Sequence, residues 1–81
     1  MTNYSARLRA PADFGRALHQ ARTARGLSQT ELAQELGIPQ STVSEMESGK
    51  STIYLRRLLA FTRATGVELT ATWGDTDEPR S

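Results

Sequence analysis

Residues 27–50 read LSQTELAQELGIPQSTVSEMESGK, and this stretch decides the fold. It contains two short helical patterns, and a tight Gly-Ile-Pro turn at residues 37–39 joins them. The second pattern carries small polar side chains at positions where a protein core would need apolar ones. This layout is typical of a helix-turn-helix, whose second helix lies in the major groove of DNA.

Start and stop signals define both helices of this motif. Ser28 and Glu31 form an S-x-x-E capping box just before the apolar positions, and Gly37 provides a C-terminal stop. These signals predict the first helix over residues 29–36. The second helix is predicted over residues 40–47, before another glycine.

The second helix of the motif is poor in apolar residues. Val43 and Met46 are its strongly apolar positions, and they lie three residues apart. This spacing predicts that one narrow stripe packs into the core and that the remaining surface faces solvent or a ligand. Pro39 precedes the helix, where it presets the backbone but offers no side-chain cap.

Two further helices flank the motif. Asp13 predicts the cap of a helix that runs to about residue 25, and another helix is predicted over residues 53–64, stopping at Gly66. Apolar residues at helical spacing predict the core faces of both helices. These residues are Phe14, Leu18, Ala21 and Leu27 for the first, and Leu55, Leu58, Leu59 and Phe61 for the second.

The segment after the last helix alternates apolar and polar residues. Residues 67–73 read VELTATW, and this period of two predicts one strand. A lone strand needs a partner, and no other strand candidate is evident, so we expect it to pair with the same strand of a second copy. We expect residues 1–10 to be a flexible arm, residues 11–66 to form the helical domain, and residues 74–81 to be a disordered acidic tail.

Composition excludes several classes of protein. The 81 residues suffice for one small domain, and with no cysteine and a single histidine we expect neither a disulfide framework nor a metal site. No segment is apolar enough to cross a membrane or to serve as a signal-peptide core, which predicts a cytoplasmic protein. No nucleophilic cysteine, His–carboxylate spacing or Gly-rich phosphate loop indicates an enzyme or a cofactor site.

The charge distribution favours nucleic acid as a partner. The net charge is +1, but residues 1–66 carry +4 and residues 67–81 carry −3. A basic body with an acidic tail fits a nucleic-acid-binding protein better than the total charge suggests.

Five spaced motifs resemble the lambda-repressor-like (XRE-type) helix-turn-helix family over residues 13–66. They are FGRALHQAR, RGLSQTELA, LGIPQSTVS, ExGK and LxxLL. The later TGVELTATW is similar to the HipB group of toxin–antitoxin regulators. The resemblance implies an all-α fold with four helices and a C-terminal strand that pairs across a homodimer. It also implies that the dimer represses transcription from a palindromic operator in double-stranded DNA and binds a HipA-like serine/threonine kinase toxin.

The same resemblance implies which residues contact DNA bases. The start of the second motif helix faces base edges, and the matching residues are Gln40, Ser41, Ser44 and Glu45. Glutamine pairs bidentately with adenine, serine donates or accepts, and glutamate accepts from cytosine N4. The alternative for these residues is a solvated helix face.

Phosphate contacts are expected beside the reading helix. Gln29 begins the preceding helix, where the free N–H groups suit an anion, and Thr42 and Lys50 lie on either side of the reading helix. Arg56 lies in the first turn of the last helix, where the macrodipole disfavours a cation. This placement indicates a phosphate or partner contact, with ordinary surface variation as the alternative.

Two other functions stay open beside the dimeric antitoxin and autoregulator. One is a stand-alone or phage-type repressor without a toxin. The other is a protein-binding module with weak DNA binding, which the acidic tail and the exposed strand motivate. The dimer prediction places four strand residues at the interface between copies: Val67, Leu69, Ala71 and Trp73.

Overall fold

The computed structural model of the protein describes residues 2–75. In chain order the elements are β1 (Thr2–Arg7), α1 (Pro11–Ala24), α2 (Gln29–Leu36), α3 (Gln40–Glu47), α4 (Ile53–Thr65) and β2 (Thr70–Asp75). The prediction of four helices is confirmed, and α2 and α3 have the predicted bounds.

Local capping explains where α1 and α2 begin. The Ser28 hydroxyl accepts from the Glu31 N–H at 3.0 Å, and the Ser28 N–H donates to the Glu31 carboxylate at 2.8 Å, as the capping box predicts. The prediction that Asp13 is the N-cap of α1 is wrong, because the helix already begins at Pro11 and Ala10 is the N-cap residue. Asp13 instead accepts backbone N–H groups from the residues just before the helix, including Ala10 at 3.0 Å.

The two strands pair within the chain, which corrects two predictions. β1 and β2 form an antiparallel two-stranded sheet in which Tyr4 lies opposite Trp73 and Ala6 opposite Ala71. The expected flexible arm over residues 1–10 is therefore wrong, and so is the expectation that the C-terminal strand has no partner in its own chain. Apolar residues alternate in both segments and fall on one face of the sheet, which explains the pairing.

The bounds of β2 also differ from the prediction. It begins at Thr70 rather than residue 67, and it continues to Asp75, so it includes the first two residues of the predicted disordered tail. The rest of that tail, residues 76–81, lies outside the described residues.

The core is small. Among residues 2–75 the buried apolar side chains are Ala17, Ala33, Val43 and Leu59, one from each helix. Two residues predicted in the core are largely exposed, because Met46 retains 49% and Phe61 65% of its accessible surface. Leu18, another predicted core residue, is 44% exposed. Of the two apolar residues predicted to pack from α3, Val43 is buried and Met46 is not. On α4, Leu59 faces the core, whereas Phe61 faces away from it.

Candidate nucleic-acid interface

The four predicted base-reading residues lie on one exposed face of α3. Gln40, Ser41, Ser44 and Glu45 are all exposed, whereas Val43 on the opposite side retains only 3% of its accessible surface. Their spacing of one and four residues brings their side chains together on a helix. The helix therefore presents a continuous polar row of amide, hydroxyl and carboxylate groups.

A ladder of side-chain hydrogen bonds holds the first residue of this row. The Gln40 Nε2 atom donates to Gln29 Oε1 at 2.6 Å, and Gln29 Nε2 donates to Glu47 Oε1 at 3.1 Å. The ladder joins the first residues of α2 and α3 to the last residue of α3. It orients the Gln40 amide, which lowers the entropy that this side chain would lose on binding a ligand.

The ladder ends on a nearly buried ion pair. Arg22 donates to both carboxylate oxygens of Glu47, with Nε–Oε2 at 2.5 Å and Nη2–Oε1 at 3.0 Å, and donates through Nη1 to the Leu27 carbonyl at 2.6 Å. The two side chains retain 9% and 6% of their accessible surface. His19 Nδ1 lies 2.9 Å from the same carboxylate.

Electrostatics fix the charge state of this pair. The hydrogen bonds from Arg22 lower the pKa of Glu47 to about 2, with further support from the hydrogen bonds of His19 and Gln29. The hydrogen bond to Glu47 raises the pKa of Arg22 in turn. Both groups are therefore charged at neutral pH, and the Glu47 carboxylate accepts the hydrogen bond from Gln29 that belongs to the ladder.

Close backbone approach sets the distance between α1 and α3. A Cβ atom at Gly15 would lie 2.5 Å from the Glu47 carbonyl oxygen and 2.6 Å from the Gly49 nitrogen. Gly49 has a φ of +80°, and a Cβ there would lie 2.8 Å from the Ala12 Cα atom. The C-terminal end of α3 thus rests directly on the backbone of α1, which no larger residue permits.

The predicted phosphate contacts do not form one cluster of free groups. Gln29 is half-buried and engaged in the ladder, and Thr42 is half-buried. Lys50 lies 3.4 Å from the Glu45 carboxylate, so one predicted phosphate contact is paired with one predicted base contact. Arg56 is exposed and donates to the Ser51 hydroxyl at 3.0 Å.

Most of the residues predicted at the dimer interface are partly covered by their own chain. Leu69, Ala71 and Trp73 are half-buried, and the Trp73 ring stacks on Tyr4 with ring centres 5.9 Å apart. Val67 precedes the strand and is 50% exposed. The apolar side chains of β2 therefore lie against their own chain, whereas Thr70 and Thr72 are exposed.

Sequence reasoning missed the Arg22–Glu47 pair, although a signal was present. Arg22 lies four residues after Leu18 on the apolar side of α1, where a charged residue needs a partner. Its partner was not evident because 25 residues separate the two side chains.

The geometry defines a class of protein: α2 and α3, joined by a tight turn, form a helix-turn-helix whose second helix displays an exposed polar row. A family model described as helix-turn-helix matches residues 18–71. The chain belongs to this family, in its lambda-repressor-like (XRE) type, and is a DNA-binding transcription regulator. No curated protein and no solved structure gives a significant match.

Other kinds of site receive no support from the described residues. Across residues 2–75 no group of three His, Asp or Glu side chains is arranged to hold a metal ion. In the same part of the chain, no helix is both long and apolar enough to cross a membrane.

Proposed function

We propose that the protein is a sequence-specific, dimeric repressor that reads a palindromic operator. The observation that carries this proposal is the exposed polar row of α3, whose first residue is oriented by the ladder Gln40–Gln29–Glu47. The Gln40 side chain has little reason to be held in one orientation on a solvated face, because ordering an exposed side chain costs conformational entropy. A base edge in the major groove is the ligand that uses it.

The chemistry of each residue suggests its contact. Gln40 donates one N–H to Gln29, which leaves its carbonyl oxygen and its second N–H for a bidentate pair with adenine. Ser41 and Ser44 accept or donate to neighbouring bases. Glu45 accepts from cytosine N4, while its neighbour Lys50 offsets the repulsion between the carboxylate and the phosphates. Phosphate contacts come from Gln29, Thr42, Lys50 and Arg56.

A dimer forms through the outer edge of β2 in this proposal. Leu8 donates to the Leu69 carbonyl at 2.9 Å, which continues the β1–β2 ladder by one pair. Backbone groups alternate between the two sides of an antiparallel strand, so those of Thr70 and Thr72 point away from β1. Pairing of this edge with a second copy would give a four-stranded sheet, and reading two half-sites one turn of DNA apart requires the two α3 helices to lie about 34 Å from each other.

We further propose that this repressor is the antitoxin of a HipA-like kinase and represses its own operon in the cytoplasm. The support is the similarity of TGVELTATW and the preceding helices to the HipB group. The alternative is a stand-alone or phage-type repressor. Co-expression with the product of a neighbouring kinase gene distinguishes the two, because an antitoxin forms a stable complex that suppresses kinase activity and a stand-alone repressor does not.

A mobility-shift titration tests the DNA proposal. The purified protein is titrated on its own upstream DNA and on scrambled DNA, at low and high salt. Selective binding that weakens steeply with salt is expected, because neutralised phosphates release counterions. Gln40→Ala with Ser44→Ala should abolish the selectivity, whereas Gln34→Ala on α2 serves as the matched control. Equal binding to both DNAs by the unaltered protein would contradict sequence-specific repression.

A further inference from the structure

α4 is apolar on two opposite sides. Its inner side is buried, with Leu59 at 2% and Thr62 at 8% of their accessible surface. On the other side Ile53 is 58%, Tyr54 77% and Phe61 65% exposed. An apolar stripe on a helix normally packs against another surface, so the exposed second side of α4 indicates a missing partner.

The exposed residues form one continuous stripe. At about 100° per residue, positions i, i+1, i+4, i+7, i+8 and i+11 of a helix share a face. In α4 these positions are Ile53, Tyr54, Arg57, Ala60, Phe61 and Ala64, all of them exposed. We name this set the outer face of α4. Contiguous apolar surface of this kind marks an interaction site, whereas isolated exposed apolar residues do not.

The charge on this helix has a single sign. α4 contains Arg56, Arg57 and Arg63 and no acidic residue. Among the ion pairs of residues 2–75 none involves these three arginines, and the acidic residue that follows the helix, Glu68, pairs with Arg7 at 2.9 Å. The outer face thus combines apolar anchors with Arg57, and Arg56 and Arg63 lie on its flank. None of the three arginines has a carboxylate partner in the described part of the chain.

We propose that the outer face of α4 docks an acidic amphipathic helix of a partner protein. Apolar side chains of that helix pack on Ile53 and Phe61, and carboxylates beside them pair with Arg57 and Arg63. The 13 residues of α4 give a contact of about three and a half turns. This mode of recognition uses anchors at i, i+3, i+4 and i+7 of the docked helix.

Charge decides between this occupant and the others. A second copy docked through the same face would bring the two Arg57 side chains together, flanked by Arg56 and Arg63 of each copy, with no α4 carboxylate between them, so like charges would repel. The phosphates of duplex DNA would pair with Arg57, but they would offer no apolar contact to Ile53 and Phe61. An acidic amphipathic helix satisfies both the apolar and the charged groups.

Peptide titration of the 81-residue protein tests the proposal. Two synthetic helical peptides carry leucines at i, i+3, i+4 and i+7, one with flanking glutamates and the other with lysines at the same positions. In 15N-resolved NMR spectra we expect only the glutamate peptide to bind, with saturable shifts at Ile53, Arg57 and Phe61. Equal binding of both peptides would overturn the charge argument.

A charge swap makes the test specific to this face. Arg57→Glu with Arg63→Glu should weaken the glutamate peptide by at least about tenfold and create binding of the lysine peptide. Phe61→Ala should weaken the glutamate peptide without changing operator affinity. Leu36→Ala is the matched control, because Leu36 is an exposed apolar residue in a separate groove of about 560 Å³ between α1, α2 and α3.

Three results would contradict the proposal. The first is a set of peptide shifts in the groove around Leu36 instead of the outer face. The second is shifts at Ile53 and Phe61 that depend on protein concentration without any peptide, which would assign the face to a second copy. The third is loss of operator binding in Phe61→Ala with an intact fold, which would assign the face to DNA. Docking on the outer face does not depend on the proposed operator binding, so either proposal can be contradicted while the other stands.

Discussion

The guanidinium of Arg22 donates to both carboxylate oxygens of Glu47, at 2.5 and 3.0 Å, and so ties the last turn of α3 to α1. The pair also ends the ladder that orients Gln40. One contact therefore contributes both to the stability of the fold and to the position of the predicted reading residues.

Arg22→Ala should destabilise the protein by about 3 to 5 kcal/mol, because it leaves the nearly buried Glu47 carboxylate without its cation. Urea denaturation monitored by circular dichroism measures the change. Arg25→Ala, at an exposed neighbouring arginine, should change stability by less than about 0.5 kcal/mol. Similar losses in both variants would show that the pair contributes nothing specific.

Stability should fall on acidification, and Glu47 should account for part of the loss. Its pKa is about 2 in the folded protein against 4.5 as the reference value. A carboxyl whose pKa is lowered on folding stabilises the fold above the unfolded pKa, and this stabilisation is lost as the pH falls through the folded pKa. The shift corresponds to about 3 kcal/mol at neutral pH.

The comparison with Glu47→Gln isolates this group. Asp13 also has a lowered pKa, chiefly because the Arg9 N–H donates to its carboxylate, but it is present in both proteins and cancels. Denaturation at several pH values should show a large difference between the two proteins at pH 7 that narrows between about pH 4.5 and pH 2. A difference that does not change with pH would disprove the linkage.

Gly15→Ala should destabilise the fold, although the same change normally stabilises a helix by about 1 kcal/mol. The new Cβ would lie 2.5 Å from the Glu47 carbonyl oxygen, so α1 and α3 must separate. We expect a net loss of about 1 to 3 kcal/mol and weaker operator binding as α3 shifts. Thermal denaturation and a mobility shift measure both, with the exposed Gln20→Ala on α1 as control. An increase in stability would refute the close packing.

Local signals explain what the sequence predicts well. The bounds of α2 follow from the Ser28–Glu31 box and from Gly37, which has a φ of +70° and ends the helix. These signals act within one turn, so they do not depend on the rest of the fold. The exposed face of α3 follows in the same way from its lack of apolar residues.

Long-range contacts explain what the sequence predicts poorly. Tyr4, Ala6 and Leu8 alternate with polar residues, but only their partners near Trp73 turn this short pattern into a strand. Phe61 lies on a helix with two apolar sides, and helical spacing does not determine which of them faces the core. The bond from Gln40 to Gln29 depends on the angle between α2 and α3, which only the folded chain sets.

Proline substitution on β2 should distinguish its two edges. Thr72→Pro removes an N–H that points away from β1, so it should leave the β1–β2 pair intact and block pairing with a second copy. Ala71→Pro removes an N–H that points toward β1 and should disrupt the sheet. Sedimentation velocity should show a dimer for the unaltered protein and a folded monomer for Thr72→Pro. A persisting Thr72→Pro dimer would place the dimer interface elsewhere.

Substitutions at the predicted DNA interface should separate base reading from phosphate contact. Gln40→Ala removes a bidentate partner, so operator affinity should fall by about 1 to 3 kcal/mol, with relaxed preference at one base pair of each half-site. Lys50→Ala should instead weaken binding to all sequences evenly. The plot of log binding constant against log salt concentration should also become less steep, by about one in slope for each phosphate that the lysine no longer neutralises.

Gln29→Ala tests whether the ladder matters for reading. It leaves the Gln40 side chain in place but removes the Oε1 atom that accepts its N–H at 2.6 Å. If orientation contributes to specificity, this variant should lose part of the preference that Gln40→Ala loses, and the double variant should lose no more than Gln40→Ala. Additive losses would mean that Gln29 contacts DNA independently, through the phosphate, and that Gln40 needs no support from it.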